Sequence, residues 1–323
     1  MKKRYFVILA VVLIAIGLIG GFFSRDGFGP STTVTDTFPS AAVDRIQVNG
    51  RNVRVEVETA AGDEIRVVTR ATGGNFIREV ELQDSTLVVD AGFNQQDQIR
   101  VGININVAVV TIYVPAQMLE TVDINTTNSR IEAVGLTAER ISLRTTNARI
   151  DAAQLSADQI ALTTTNASIM GDNFMGNQIS LTSTNGSIEA ANFDAADTQL
   201  RTTNNRITAS HINGSLEARS TNGRLDIQNI TGNVLGLTTN NSISFENPGL
   251  AQNIDFETTN GRLDVAFGSR PDNGAFNLST TNSTLDLFGD SARVTGRTTT
   301  AQTFGVGQHQ VNLSNSNGRI RVR

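Results

Sequence analysis

Apolar and polar residues alternate with a period of two along most of the chain after residue 43. Following each asparagine of a recurring phrase, the third and fifth positions are apolar or small, as in Ile131 and Ala133, whereas the second and fourth are polar. A second alternating segment lies between successive copies, as in Ile141 and Leu143. A period of two predicts half-buried β-strands, and the helical period of 3.6 is not seen here. The pattern therefore predicts an all-β fold.

The recurring phrase has a nearly fixed spacing. It reads TTNSRIEA at Thr126, STNGSIEA at Ser183 and TTNGRLDV at Thr258, with a degenerate last copy, NSNGRIRV, at Asn315. Successive asparagines are 18 to 22 residues apart until a final gap of 35. A repeat of this length is too short for a helix-containing unit. It predicts a β-solenoid of about 19-residue coils, each with two short strands and two turns.

The asparagine of the phrase is predicted to lie at a corner of each coil, because asparagine tolerates the left-handed backbone conformation. Glycine follows it in four of the ten copies. If the coils are in register, the asparagine side chains form a ladder of amide hydrogen bonds. The ladder would consist of Asn128, Asn147, Asn166, Asn185, Asn204, Asn222, Asn240, Asn260, Asn282 and Asn317. A ligand-binding array of Thr and Asn side chains is the alternative.

The first 25 residues have a different pattern. A basic cluster at positions 2–4 precedes an uninterrupted apolar run from Tyr5 to Phe23, which is long enough to span a bilayer as a helix. The basic residues predict a cytoplasmic N-terminus. Without a convincing small-x-small cleavage site, an uncleaved signal anchor is favoured over a cleaved signal peptide. Residues 1–25 thus predict a single-pass membrane protein whose C-terminal domain is extracytoplasmic, at the cell surface or in the periplasm.

The remaining chain divides into three parts. Residues 26–40 are rich in Gly, Ser, Thr and Pro and are interpreted as a linker. Residues 41–120 lack the phrase but alternate Val and Ile with polar residues, which predicts an irregular β section that caps the solenoid. Residues 121–323 are the predicted β-solenoid. Within it, the Gly- and Thr-rich residues 289–308 are interpreted as an irregular coil or loop.

Composition narrows the range of functions. The chain has no cysteine, which excludes disulfides, thiol chemistry and cysteine-bound zinc. Three of the 26 basic residues lie at positions 2–4, which leaves 23 basic against 31 acidic residues in the rest of the chain and a net charge of −8. An acidic domain argues against nucleic acid and anionic lipid as partners.

No catalytic constellation is recognisable. The two histidines, His211 and His309, have no partner at metal-ligand or triad spacing. Nucleotide-binding, metalloprotease and calcium-loop motifs are also missing from the sequence. We therefore predict no catalytic residue, no metal and no cofactor.

Carboxylates and arginines share one outward face of the repeat. The fourth position after the asparagine is acidic in six copies, and the second is arginine in six. This predicts a surface of interleaved ion pairs. A second interpretation is a face that binds protein or carbohydrate, whose candidate residues are Arg130, Glu132, Arg149, Asp151, Arg224, Asp226, Arg262 and Asp264. A third is a polysaccharide-cleaving pair of acids such as Asp264 and Asp286, although the aromatic residues usual at sugar sites are scarce.

The Val-rich N-terminal section, the TIYVP segment ending at Pro115 and the TTN-[GNSA]-[RS]-[IL] phrases resemble the bacterial putative-adhesin family of β-strand-repeat proteins, over about residues 40–323. The resemblance implies a right-handed, β-helix-like solenoid on the outer side of a bacterial membrane. It supplies no catalytic motif, since the family has no assigned chemistry.

The expected function is a non-enzymatic, membrane-tethered surface for adhesin-like binding or scaffolding in the cell envelope. Its expected partners are the membrane, through the N-terminal helix, and an envelope protein or a cell-surface glycan. The alternatives are a polysaccharide-active enzyme and an ectodomain that senses envelope stress or regulates through a partner membrane protein. Ice binding is disfavoured because the paired threonines, such as Thr145 and Thr146, are adjacent and so point to opposite sides of a strand.

Overall fold

The structure is a computed structural model and describes residues 31–72, 76–93 and 107–323, without the side chains of 291–295. Apart from one 3-10 turn, Ser40–Ala42, the regular structure in these ranges is β-strand, so the all-β prediction is confirmed. The predicted membrane helix, residues 1–25, lies outside the described residues. Among the residues that are described, no helix has the length and apolar character needed to cross a membrane.

The described chain forms 23 strands. Those of the N-terminal section are β1 (Ser31–Pro39), β2 (Arg45–Arg51), β3 (Arg54–Ala60), β4 (Glu64–Thr72), β5 (Phe76–Gln83), β6 (Thr86–Phe93) and β7 (Val107–Pro115). Those of the regular repeats are β8 (Met118–Thr126), β9 (Ile131–Val134), β10 (Thr137–Arg144), β11 (Ile150–Thr164), β12 (Ile169–Ser183), β13 (Ile188–Thr202), β14 (Ile207–Ser220), β15 (Leu225–Ile230), β16 (Val234–Thr238), β17 (Ile243–Asn247), β18 (Ile254–Thr258) and β19 (Leu263–Phe267). The C-terminal strands are β20 (Gly274–Leu287), β21 (Asp290–Phe304), β22 (His309–Asn315) and β23 (Ile320–Val322).

The strands stack in two columns, as a solenoid-like fold requires. Strands that precede a Thr-Thr-Asn phrase pair in parallel with their counterparts in the next coil, as Ile141 does with Ile160, and form what we name the leading sheet. Strands that follow the phrase pair in the same way, as Ile131 does with Ile150, and form the trailing sheet. In β11 to β14, one long strand serves both sheets. It bends at a residue with a left-handed backbone, such as Gln154 (φ 55°).

At the N-terminal end, the order of stacking departs from the order of the chain. Strand β2 lies between β6 and β8 in the leading sheet, and β3 lies between β7 and β9 in the trailing sheet. Antiparallel strands close both sheets, with β5 on β6, β4 on β7 and β1 on β4. Since β1 takes up Ser31–Pro39, most of the predicted linker 26–40 is instead a paired edge strand. Its threonines, which we interpreted as linker composition, also favour strands.

The C-terminal end is built in a similar way. Strands β22 and β23, the last of the chain, lie between the β18–β19 coil and β20. Strand β21 then pairs antiparallel with β20. The residues predicted as an irregular coil or loop, 289–308, therefore mostly form a capping strand of 15 residues. Arg297 is exposed on this outermost strand, where a charged side chain discourages further edge-to-edge pairing.

A single apolar core fills the space enclosed by the two sheets. Its largest side chains are phenylalanines, as their apolar positions in the alternating pattern predict. The rings of Phe174 and Phe193 stack in register, with 4.6 Å between centroids. Gly171 provides the room for them, because a Cβ at this position would lie 2.9 Å from the Phe174 ring. Towards the C-terminus the aromatic contacts are edge-to-face, among Phe245, Phe256, Phe267, Phe276, Phe288 and Phe304.

Candidate binding surfaces

A ladder of asparagine side chains follows one corner of the stack. Each Nδ2 donates to the Oδ1 of the asparagine one coil before it, over 2.6–3.1 Å. In stacking order, its members are Asn52, Asn128, Asn147, Asn166, Asn185, Asn204, Asn222, Asn240, Asn260 and Asn317. All of them are solvent-accessible, so the ladder is also an outer surface.

The ladder differs from the predicted set at both ends. Asn282 was predicted as a member, but it lies within β20, and Asn317 follows Asn260 because β22 and β23 are inserted there. Asn52 was missed. A signal for it exists in the sequence, because Arg54 and Glu56 follow it at the positions where the repeats also carry arginine and an acid.

The first residue of each phrase is buried, and in most copies its side chain binds the neighbouring corner. Thr202 Oγ1 donates to the Gly186 carbonyl at 2.9 Å, and Thr258 Oγ1 donates to the Asn241 carbonyl at 2.8 Å. In the last copy, Asn315 Nδ2 donates to the Gly261 carbonyl of the neighbouring corner at 3.3 Å and to the Gly318 carbonyl of its own corner at 2.6 Å. The second threonine of each regular phrase is exposed. The phrase thus combines one buried hydrogen-bonding residue with two surface residues.

The predicted backbone reason for asparagine at this corner is wrong. Within the ladder only Asn52 has a positive φ, whereas the left-handed residues form a column at the opposite corner, at Gln154, Asn173, Asn192, His211 and Asn229. Glycine after the ladder asparagine serves close packing. A Cβ at Gly186 would lie 1.7 Å from the Ala167 carbonyl oxygen, and one at Gly223 would lie 1.5 Å from that of Asn205.

The arginines and acids of the predicted binding face all lie on the trailing sheet, in separate groups. At the N-terminal end, Arg130 bridges to Asp151 at 2.5 Å, Arg149 also pairs with Asp151, and Arg54 reaches Glu132 at 2.7 Å. The hydrogen bond to Glu132 raises the pKa of Arg54 above its ordinary value. These partly exposed pairs each contribute at most about 1 kcal/mol. They leave few charges of this group free for a ligand.

The second group centres on Asp226, which lies 2.5 Å from Arg224 and 3.4 Å from Arg206. Between the two groups the same columns carry Ser168, Met170, Ser187 and Glu189, and Glu189 is in no ion pair with a described residue. Arg262 and Asp264 are on this face too, but no ion pair joins either of them to another described residue. The structure therefore divides the eight candidates and does not gather them into one site.

The acids considered as a catalytic pair are not neighbours. Asp264 and Asp286 are both in register with Arg321, which lies on the strand between them. Asp286 is also held by Arg319 at 2.8 Å. Within the described residues, no three His, Cys, Asp or Glu side chains form a group that could hold a metal ion. His211 contacts the amide of Asn229 at 3.2 Å, and His309 begins β22.

Elongated depressions lie on the leading sheet, a face for which the sequence pattern predicted no function. One extends from Thr182 to Thr259 along the exposed threonines, and another from Asp197 to Asn312. Beside them, Glu217 Oε1 accepts from Arg219 at 2.6 Å and from Arg201 at 2.7 Å. Burial tends to raise the pKa of Glu217, but these hydrogen bonds outweigh it and hold the pKa below its usual range.

A third depression, which we name the Ser142 trough, crosses three coils of the leading sheet. Its floor consists of Ser142, Ala161 and Ser180, which are in register. Longer side chains border it, namely Arg140, Gln159 and Gln178 on one side and Arg144 on the other, with Thr121 and Asp123 at one end. Ser142 is only 9% exposed, and its Oγ has no hydrogen-bond partner among the described residues. The alternation in the segment ERISLR, residues 139–144, predicts that Arg140 and Arg144 lie on the outer face. It does not predict that a depression lies between them.

A known protein family matches the N-terminal section and most of the regular repeats. Residues 43–232, more than half of the chain, match the family described as Toastrack DUF4097. The chain belongs to the Toastrack DUF4097 family. The matched part of this Toastrack chain begins at the edge of β2 and ends after β15, so it includes the Ser142 trough and the ladder as far as Asn222.

Solved structures similar to this Toastrack protein are named as putative adhesins. One from Bacteroides fragilis is 10% identical, with 90% of this chain and 97% of that one covered and a TM-score of 0.39. One from Parabacteroides merdae is 13% identical, with 73% and 97% covered and a TM-score of 0.43. One from Parabacteroides distasonis is 14% identical, with 73% and 98% covered and a TM-score of 0.40. The comparison with curated proteins gives no match.

Proposed function

We propose that this Toastrack protein is a non-enzymatic binding or scaffolding surface of the cell envelope, held at the membrane by residues 1–25. The proposal includes a right-handed path for the solenoid, as the family resemblance implies. It places the sheets outside the cytoplasm, where an adhesin-like surface would meet its partner. The membrane, and an envelope protein or cell-surface glycan, are the proposed partners.

The observation that carries the proposal is the registered outer surface. Over the regular coils, residues of the same type recur at equivalent positions of successive coils. The asparagine ladder and the exposed threonines beside it are examples. Strands in a sheet are about 4.8 Å apart, so such rows offer a partner many similar contacts in line. Rows of this kind suit an extended partner better than a small substrate.

The arrangement of charge supports a non-enzymatic role. Acid catalysis at a sugar requires two carboxyl groups that face one substrate with different pKa values. Neighbouring acids of the trailing sheet share a guanidinium. Glu132 and Asp151 share that of Arg130 at 2.9 and 2.5 Å. Glu56 and Glu132 share that of Arg54 at 3.0 and 2.7 Å. Asp151 is also paired with Arg149, so these carboxylates are engaged in ion pairs and are not directed together at one substrate.

The location can be tested because the chain has no cysteine of its own. A single Asp158→Cys substitution, at an exposed position, should react with a membrane-impermeant maleimide in intact protoplasts or spheroplasts. Lys3→Cys, ahead of the apolar run, should react only after the membrane is permeabilised. Labelling of Lys3→Cys but not Asp158→Cys in intact cells would place the sheets in the cytoplasm and refute the proposal.

The binding role can be tested with photoreactive residues, because lysine occurs only at positions 2 and 3 and amine cross-linkers would miss the sheets. A photoreactive amino acid at Gln178 reports on the leading sheet, and one at Ser187 reports on the trailing sheet. We expect an adduct with one envelope component from one of these faces in living cells. If neither position gives an adduct above the background of an unsubstituted chain, the surface has no partner.

A further inference from the structure

We infer that the Ser142 trough binds a linear glycan that carries carboxylate groups. This inference depends on the proposed function, for which it names the class of ligand and the face that binds it. The trough combines a buried hydroxyl that has no partner with two arginines outside any ion pair among the described residues, whereas most arginines of the trailing sheet are paired with acids.

The first reason is the buried hydroxyl. Ser142 is buried at the floor of the trough, between the arginines of its own strand, yet no described residue accepts the proton of its Oγ or donates to it. A buried polar group without a partner costs roughly 1–3 kcal/mol, so native proteins rarely keep one for packing alone. A ligand hydroxyl or carboxylate lying in the trough would complete this hydrogen bond.

The second reason is the charge at the borders. Arg140 and Arg144 stand two residues on either side of Ser142, and neither is in an ion pair with a described residue. By contrast, Arg201 and Arg219 on the same sheet are both paired with Glu217. Only Gln159 meets Arg140, accepting from its Nε at 3.2 Å. A guanidinium fork that is free and half-solvated binds a carboxylate through two parallel hydrogen bonds.

The third reason is the remaining lining, which suits sugar hydroxyls. The side chains of Gln159, Gln178 and Ser180 both donate and accept, and the carboxylate of Asp123 accepts. Ring hydroxyls need such mixed partners. A purely anionic ligand would instead be repelled by Asp123, which is directly opposite Ser142 in the register. Donors for an acid group and mixed partners for hydroxyls together describe a uronate-type residue.

The fourth reason is shape. Ser142, Ala161 and Ser180 occupy three successive strands, so the floor runs about 10 Å along the stack axis at about 4.8 Å per strand. The depression is open at the surface, and further depressions continue on the same sheet towards Thr259. A chain of sugars can lie along this direction and gain affinity from each coil it crosses. Lacking aromatic platforms, the trough should bind single sugars weakly.

The test is a titration of end-labelled hexagalacturonate with the full-length protein in non-ionic detergent, followed by fluorescence anisotropy. Saturable binding is expected, weakening as salt is raised because guanidinium–carboxylate contacts are screened. The double variant Arg140→Gln/Arg144→Gln should bind about tenfold more weakly or worse, since hydrogen bonds to charged groups are lost. Ser142→Gln, which fills the floor without changing charge, should weaken binding similarly.

The matched control is Arg206→Gln/Arg224→Gln, which removes the same charge from the trailing sheet. It should leave the affinity unchanged within about twofold, because the effect of distant charges is screened. Circular dichroism melting of each variant shows that the fold is retained. If the control weakens binding as much as the trough variant does, the interaction is diffuse electrostatics and the inference is wrong.

Ligand controls separate the remaining possibilities. Cellohexaose, a neutral hexamer, should bind at least about tenfold more weakly than hexagalacturonate. Equal binding of cellohexaose would overturn the carboxylate requirement, and stronger binding of poly(glycerol phosphate) would overturn the uronate class. Failure to bind hexagalacturonate, in a protein that still gives photo-adducts in cells, would end this inference and leave the proposed function standing. Failure of both would end both.

Discussion

Replacing one asparagine in the middle of the ladder should measure what the ladder contributes to stability. Asn185 Nδ2 donates to Asn166 Oδ1 at 2.8 Å, and its Oδ1 accepts from Asn204 Nδ2 at 2.8 Å. Asn185→Ala removes both hydrogen bonds. A hydrogen bond contributes about 0.5–1.5 kcal/mol net, and exposure lets water replace part of it. We therefore expect a loss of about 1–2 kcal/mol in the free energy of unfolding.

The matched control is Asn282→Ala. Asn282 belongs to the same Thr-Thr-Asn phrase in the sequence, but the ladder passes from Asn260 to Asn317 without it. Its replacement should cost less than about 0.5 kcal/mol, the usual range for an exposed substitution. The comparison thus separates membership of the ladder from the sequence phrase itself.

Asn185→Asp adds a test of direction. The ionised carboxylate accepts from Asn204 Nδ2 but has no proton for Asn166 Oδ1, so one hydrogen bond is kept and one is lost. Below the carboxyl pKa the protonated acid can donate again. The difference in stability from the unsubstituted protein should therefore shrink as the pH falls from 7 towards about 4.

These differences are measured by urea unfolding followed by far-UV circular dichroism, comparing midpoints at equal slope. In a repeat protein, unfolding of part of the stack would appear as a changed slope. Equal losses for Asn185→Ala and Asn282→Ala, or a loss below about 0.3 kcal/mol for Asn185→Ala, would refute an energetic role for the ladder.

Three further predictions concern corners, charges and ends. Gly186→Ala should destabilise the fold by at least about 1–3 kcal/mol in urea unfolding, because its Cβ would lie 1.7 Å from the Ala167 carbonyl oxygen. The control Ala167→Gly, at the equivalent position one coil away, should cost less than about 1 kcal/mol. Similar losses for the two variants would contradict the close approach. The pKa of Glu217 is lower in the folded than in the unfolded protein. Its ion pairs with Arg219 and Arg201 therefore stabilise the fold at any pH above the pKa of the unfolded state, and this contribution is lost as the pH falls through the pKa of the folded state. Glu217→Gln should thus lower the melting temperature at pH 7 and flatten its decline on acidification, and an unchanged pH profile would count against the pairs. Ending the chain at Gln308 removes β22 and β23, which join the β20–β21 hairpin to β18. The hairpin should therefore detach and expose the buried Phe276 to a dye that binds apolar surface. No gain in dye fluorescence would mean that the hairpin closes on β18 directly.

The sequence by itself determined the all-β class and the coil length. Both follow from local rules. Alternation with period two can be satisfied only by half-buried strands, and a phrase that returns every 18–22 residues places like side chains at equivalent positions of successive coils. The positions of the core phenylalanines and of nine ladder asparagines follow from the same register. The pairing of arginine with acid on one face was likewise readable, because opposite charges on one face of neighbouring strands attract.

The tertiary structure alone decided which strands are neighbours at the ends of the stack. Pairing there joins segments far apart in the chain, as Asn52 with Asn128 and Asn317 with Asn260, and nothing in the spacing of the phrase specifies such long-range contacts. This is why Asn282 lies outside the ladder and Arg321 separates Asp264 from Asp286. The Ser142 trough arises in the same way. Its depth depends on small side chains from three coils meeting beneath longer ones, and that is a property of stacked strands which no single strand has.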